Sequence, residues 1–148
     1  MLKRIIETNT ADKVATLLRV ALGVVMFPHG AQKVLGWFGG HGFSGTMEFF
    51  TSKGIPSVFA FLAITAEFAG SLGLISGFLS RIAAFGIAVN MLVAIAAVHY
   101  PNGFFMNWAG NQAGEGFEYH LLVLAIAAAI MRRGSGAFSV DGWIVRKK

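Results

Sequence analysis

Four apolar runs mark this chain, at roughly residues 14–35, 57–78, 81–98 and 117–131. Each approaches the about 20 mostly apolar residues needed to cross roughly 30 Å of hydrocarbon. Lipid offers no partner to an unpaired backbone N–H or C=O, so all four are expected to be helices. The last run is the shortest and gains length from Glu118, Tyr119 and His120 at its start. The pattern predicts an all-α fold: a four-helix transmembrane bundle in one domain, with a short tail over residues 132–148.

The polar segments between the runs differ in kind. "SGFLSR" is short, so the second and third spans should form a tight antiparallel hairpin. The other two connections, "GWFGGHGFSGTMEFFTSKGIP" and "HYPNGFFMNWAGNQAGEG", are longer and rich in glycine and aromatic residues. They are expected to cap one end of the bundle, with Trp37, Trp108 and Tyr100 at the membrane interface. The tail "RRGSGAFSVDGWIVRKK" should lie along the opposite surface, anchored by Trp143.

Charge gives the bundle a direction. With four spans, Lys3, Arg4, Lys13, Arg81, Arg132, Arg133, Arg146, Lys147 and Lys148 share one side, and the other side holds Lys33 and Lys53. Arg19 lies one turn inside the first span. By the positive-inside rule both termini face the cytoplasm. The N-terminus has no short apolar core with a small-residue cleavage site, so the first span is expected to remain in the protein.

Composition agrees. Hydrophobic residues make up 55% of the 148 positions and charged ones 13%, and the mean hydropathy is +0.66, far more apolar than a soluble domain covers with polar surface. The net charge of +5 sits at chain ends and beside apolar runs, which fits an anionic lipid surface rather than nucleic acid. With no cysteine, the chain has no disulfide framework or thiol chemistry of its own.

On this topology His29, His41, His99, His120, Glu48, Glu67, Glu115 and Glu118 all fall at mid-membrane or on the outer side. Glu67, in "AITAEFAGSLGL", sits midway along an apolar span, where a carboxylate must be protonated, paired or set in a polar cavity. A protonated Glu67 bonded to a neighbouring helix is the plain reading, and a proton or ligand site the functional one. His29, Gln32 and Lys33 share a face if the first helix continues past Pro28, where a kink is expected. Lys33 reaching up to the headgroups is the plain alternative. Glu118 and His120 lie two residues apart, about 200° around a helix, so one alone can face the bundle centre, and Glu118 is the choice here. Asn90 reads as hydrogen-bonding glue between helices. His29 and His99 are chemically suited to a metal or haem iron, but no tight ligand motif such as HExxH is present.

The segments "LLRVALGVVMFPHGAQKVLGWFGGHGFSGTMEFF", "GIPSVFAFLAITAEFAGSLGLISGFLSRIAAF", "VHYPNGFF", "EGFEYHLLVL" and "GSGAFSVD" resemble the DoxX family of small bacterial and archaeal membrane proteins, from about Leu17 to Asp141. The resemblance implies a four-helix membrane bundle associated with membrane redox systems and quinones. Its motif positions fall on His29, Gln32, Lys33, Trp37, Glu67, His99, Asn102 and Glu118. A redox-linked subunit is then expected, with a quinone near the outer half of the bundle. Glu67, His29 and His99 would handle protons, Lys33 would stabilise negative charge, and Gln32, Trp37, Asn102 and Glu118 would line the ligand. Electrons would come from a redox partner or a further cofactor. Two rivals remain: a proton-coupled or anion transport subunit, which four spans serve more readily as a homo-oligomer, and a non-catalytic scaffold that docks a soluble enzyme to the bilayer.

Overall fold

The computed structural model describes residues 2–146, which include no strand; Lys147 and Lys148 of the expected tail lie outside the described residues. Seven α-helices follow one another: α1 (Leu2–Ile6), α2 (Lys13–Leu35), α3 (Gly42–Ser52), α4 (Ser57–Ser76), α5 (Ser80–Ala94), α6 (Glu118–Arg133) and α7 (Val140–Arg146). A 3-10 turn over Trp37–Gly39 joins α2 to α3, and α5 runs on through a π-turn, Ile95–His99, and a 3-10 turn, Tyr100–Asn102. α2 packs on α4, α4 on α5, α5 on α6, and α6 back on α2, so four helices close into a ring. The large apolar side chains left outside, among them Leu17, Val24, Phe59, Leu62, Phe85 and Leu92, form the face that meets lipid. α2, α4 and the continuous stretch 80–102 are long and apolar enough to cross a membrane, whereas α6 has 16 residues.

The elements follow the hydrophobic pattern to within a few residues at their ends. α2 runs unbroken through Pro28 and stops at Gly36, whose φ of 71° suits glycine. The expected first cap is not a plain loop: its second half is α3, which packs on both α2 and α4. Glycine punctuation hid a helix in the sequence.

α2 and α4 run antiparallel in close contact. A Cβ at Gly23 would lie 3.0 Å from the Ser71 carbonyl oxygen, and one at Gly30 would lie 2.6 Å from the Phe68 Cα. These glycines are seven residues apart, two turns on one face, and let the backbones approach as small residues do in membrane bundles.

At the end carrying the chain termini, Arg19 is 1% exposed. Its guanidinium donates to five carbonyls, those of Ser135 (2.6 Å), Leu74 (2.8 Å), Ile75 (2.8 Å), Ala137 (3.2 Å) and Phe138 (2.7 Å). It thereby satisfies carbonyls at the C-terminal end of α4 and ties the tail to α2. Asp141, fully buried, accepts from the backbone N–H groups of Leu79 (2.9 Å) and Ser80 (3.3 Å), and the Ser135 hydroxyl lies 2.5 Å from it. Leu79 has a φ of 51°, a left-handed conformation that leucine seldom adopts, held here by that carboxylate. The expected surface tail is thus a plug: Trp143 stays exposed, but residues 134–137, Asp141 and Gly142 are buried.

Two outcomes follow for stability. Arg19→Met strands buried carbonyls at roughly 1–3 kcal/mol each, so unfolding in detergent should show a loss of ~3 kcal/mol or more. Arg19→Lys should recover part of it, because an ammonium lacks the fork that serves five acceptors.

Asp12 caps α2 through the Ala15 N–H (3.0 Å) and pairs with Arg133 (2.7 Å). The Ala15 N–H first, and then Arg133, hold its carboxyl below the ordinary value of 3.8. A depressed native value gives stability that is complete above the unfolded value and lost as pH falls through the native one. Acid titration of the melting temperature should show that loss below about pH 4, and Asp12→Asn should remove this component of it.

Candidate functional site

Glu67 stands halfway along α4, 6% exposed. Its two oxygens are shared between helices: Oε2 lies 2.5 Å from Lys33 Nζ on α2, and Oε1 accepts from Asn90 Nδ2 on α5 at 2.6 Å. Three helices therefore meet on one carboxylate. Both lone-pair sets face a donor, which is what allows a carboxylate to stay in an apolar bundle. Asn90 acts as glue between helices, as its position in the sequence indicated.

The Lys33 side chain is 25% exposed. Beside it lies a cavity of about 260 Å³ between α2, the 37–40 turn and α3, lined by Gln32, Lys33, Gly39, Gly40, His41, Thr46, Phe49 and Phe50. Lys33 has three N–H donors, so one can hold Glu67 while others reach the cavity. The cleft lies at the end of the bundle opposite the termini and meets the ion pair through Lys33, while Glu67 stays outside its lining. His41, which lies outside the family motif positions, lines its wall, and Thr46, which the sequence reading missed, is buried against it.

The other expected site residues spread around this centre. His29, exposed on α2, lies within electrostatic reach of Glu67 and Lys33. Gln32 donates to the Phe38 carbonyl (3.2 Å), fixing the 37–40 turn. Trp37 is exposed and meets Phe27 edge-on, at the bundle surface rather than over Glu67. His99 is held by the Glu115 carbonyl at 2.9 Å, and Asn102 donates to the same oxygen at 3.1 Å; both fasten the 103–117 loop.

The choice between Glu118 and His120 is reversed. Glu118 accepts from the Met106 N–H (2.9 Å) and Trp108 Nε1 (3.4 Å), so it organises the loop. His120 is the buried one, 5% exposed, with its ring centroid 4.1 Å from that of His99. Helix geometry made the two mutually exclusive, but the dipole that favours an acidic first turn says nothing of which face turns inward. Among the described residues, no three His, Cys, Asp or Glu side chains gather at metal-binding distance.

A buried pair is tested by breaking it from each side. Lys33→Met leaves Glu67 inside with Asn90 alone and should cost about 3–5 kcal/mol in thermal unfolding. Glu67→Leu should cost less, because Lys33 can turn its ammonium into the cleft. The double variant should be more stable than Lys33→Met; simple addition of the two losses would refute the coupling.

A family model described as DoxX matches residues 14–100. The chain is 30% identical over 141 residues to "Putative oxidoreductase CatD" of Bacillus subtilis (strain 168), covering 95% of this chain and 94% of that protein. It is 28% identical over 112 residues to "Inner membrane protein YqjF" of Escherichia coli (strain K12), covering 76% and 82%. No solved structure matches the chain at comparable significance.

Proposed function

The chain belongs to the DoxX family of membrane proteins, and we propose that it is the membrane subunit of a redox system, binding a quinone head group in the cleft above Lys33. The observation that carries this reading is one ammonium with two duties: Lys33 holds Glu67 and also lines a cavity of about 260 Å³. That volume lies just below the range of drug-sized ligand pockets, about 300–1,000 Å³, and suits a single ring. Phe49 and Phe50 supply apolar wall, and Gln32, His41 and Thr46 supply polar contacts. The relative named as an oxidoreductase supports the redox assignment.

When bound, a quinone supplies the carbonyls that take up electrons delivered by a partner protein. The chain's own residues do the rest. Lys33 donates to a carbonyl oxygen and offsets negative charge growing there. Glu67, oriented by Asn90, fixes the ammonium and accepts a proton when Lys33 lets go of it. His29 stands at the edge of the same charge cluster, where a proton can enter. A haem or metal on His29 and His99 is the weaker alternative, because among the described residues no three His, Cys, Asp or Glu side chains gather at metal-binding distance.

In the same reading α6 is a fourth span. At 1.5 Å per residue its 16 residues reach about 24 Å, short of the bilayer, but it completes the ring with α2 and α5. Both termini then face the cytoplasm by the positive-inside rule, and the cleft opens on the outer side.

Organic extraction of the purified protein, followed by chromatography, should recover a quinone. Titration with a short-chain quinone should show binding about 10–100-fold weaker in Lys33→Met, the range for losing a hydrogen bond to a charged group. Absence of binding, or equal binding by Lys33→Met and the unaltered chain, would overturn the quinone reading. Uptake into proteoliposomes that depends on Glu67 would replace it with transport.

A further inference from the structure

His120 poses a problem that the cleft does not solve. It is 5% exposed, and its Nδ1 has no hydrogen-bond partner. Buried polar atoms are almost always paired, and an orphan calls for an explanation. Its neighbour His99 accounts for itself: a carbonyl can only accept, so the 2.9 Å contact to the Glu115 oxygen puts a proton on His99 Nδ1. The two rings sit 4.1 Å apart, tilted by 45°.

We propose that His99 and His120 form a pH-operated latch: with at most one charge between them they hold the 103–117 loop against the bundle, and a second proton releases it. Three features of the structure lead there. First, two imidazolium rings at this separation repel, and no carboxylate is bonded to either ring to offset the charge. Second, a charged His120 would bury an N–H at Nδ1 with nothing to receive it. Third, His99 is itself one of the ties to the loop, because Glu115, whose carbonyl it holds beside Asn102, belongs to that loop. Relief of the repulsion moves His99 away and loosens this contact.

The surroundings leave the second proton uncompensated. From α2, His29 lies within electrostatic reach of His120, and Lys33 and Glu67 behind it are tied to each other. From α6 itself, Tyr119 packs edge-on to His120, and its hydroxyl points to the Met26 sulfur at 3.7 Å. From the loop, the Glu115 carboxylate is taken up by the Asn107 N–H (2.7 Å), and at the start of α6 that of Glu118 is taken up by the Met106 N–H (2.9 Å). From α4 and α5, Glu67 and Asn90 are bonded to each other. Both carboxylates are spent on holding the loop backbone, so neither offsets a second charge on the histidines. The latch does not depend on what occupies the cleft.

The test follows the loop through Trp108, 88% exposed, in the full chain with Trp37→Phe and Trp143→Phe, reconstituted in lipid nanodiscs. Between about pH 7.5 and about pH 5, the range over which imidazoles charge, Trp108 emission should shift and its quenching by iodide should change. His120→Phe, which keeps an aromatic ring and removes the proton site, should flatten that transition; should it fail to fold, His120→Gln serves the same comparison. Glu118→Gln, which alters the group next to Trp108, should keep the transition. A flat profile in the unaltered chain overturns the latch. So does a transition that survives loss of His120, or one abolished by Glu118→Gln.

Discussion

A carboxylate halfway along an apolar helix cannot be left alone, and the bundle is arranged around that constraint. Glu67 reaches Lys33 on one side and Asn90 on the other, so α2, α4 and α5 are fixed in register by one side chain. The pairing in turn needs α2 and α4 to lie close together. Gly30 provides this, since its α-carbon faces the backbone of Glu67 and Phe68 with no room for a methyl group. A charge pair between helices is weak evidence for stability, because desolvation takes back most of the attraction. Its presence where apolar packing would serve as well is therefore an argument for use rather than for strength.

The two ends of the molecule divide the work. At the end carrying the termini, Arg19 and Asp141 satisfy backbone groups that an apolar bundle leaves exposed, and every bond of Arg19 goes to a carbonyl of the chain itself. That charge is fully consumed by structure. At the opposite end Lys33 retains donors for the cleft, His120 retains an unpaired nitrogen, and the π-turn at Ile95–His99 departs from regular helix where His99 must meet His120. The end with the termini also leaves one buried nitrogen unpaired, Arg81 Nε, but only at the opposite end does such a nitrogen coincide with irregular helix.

Much of this was legible in the sequence. The four apolar runs matched α2, α4, α5 and α6 because period and length suffice when the solvent is lipid. Glu67 stood out because its cost there is large. What escaped notice depended on partners that sequence does not pair. Arg19 was counted as one more basic residue near a helix end, whereas it is, with Asp141, one of the two most enclosed charged side chains among the described residues. Its five acceptors lie 55 to 119 residues away. Asp141 looked like part of a surface tail for the same reason. The inward turn of His120 was hidden because Glu118 and His120 fit the helix start equally well, and only the neighbours decide between them.

The helix lengths explain why the polar cluster lies where it does. α2 and α6 share a base at the termini, where Asp12 meets Arg133. From there α6 climbs 16 residues, and 16 residues from the start of α2 lead to His29. At 1.5 Å per residue that is a height of about 24 Å, against about 34 Å for the whole of α2. Above this level α2 has lost the neighbour that α6 provides, which is why His29 is exposed although it lies within a span. The start of α6, the His99–His120 pair and the Gly30–Glu67 crossing fall at about the same height, where a four-helix ring gives way to three helices. A bundle that loses one wall leaves surface for other segments to cover, and the chain places α3 against α2 and α4 at this end and the 103–117 loop between α5 and α6. The Lys33–Glu67 pair and the unpaired nitrogen of His120 gather near that step, where the helix that would have enclosed them ends.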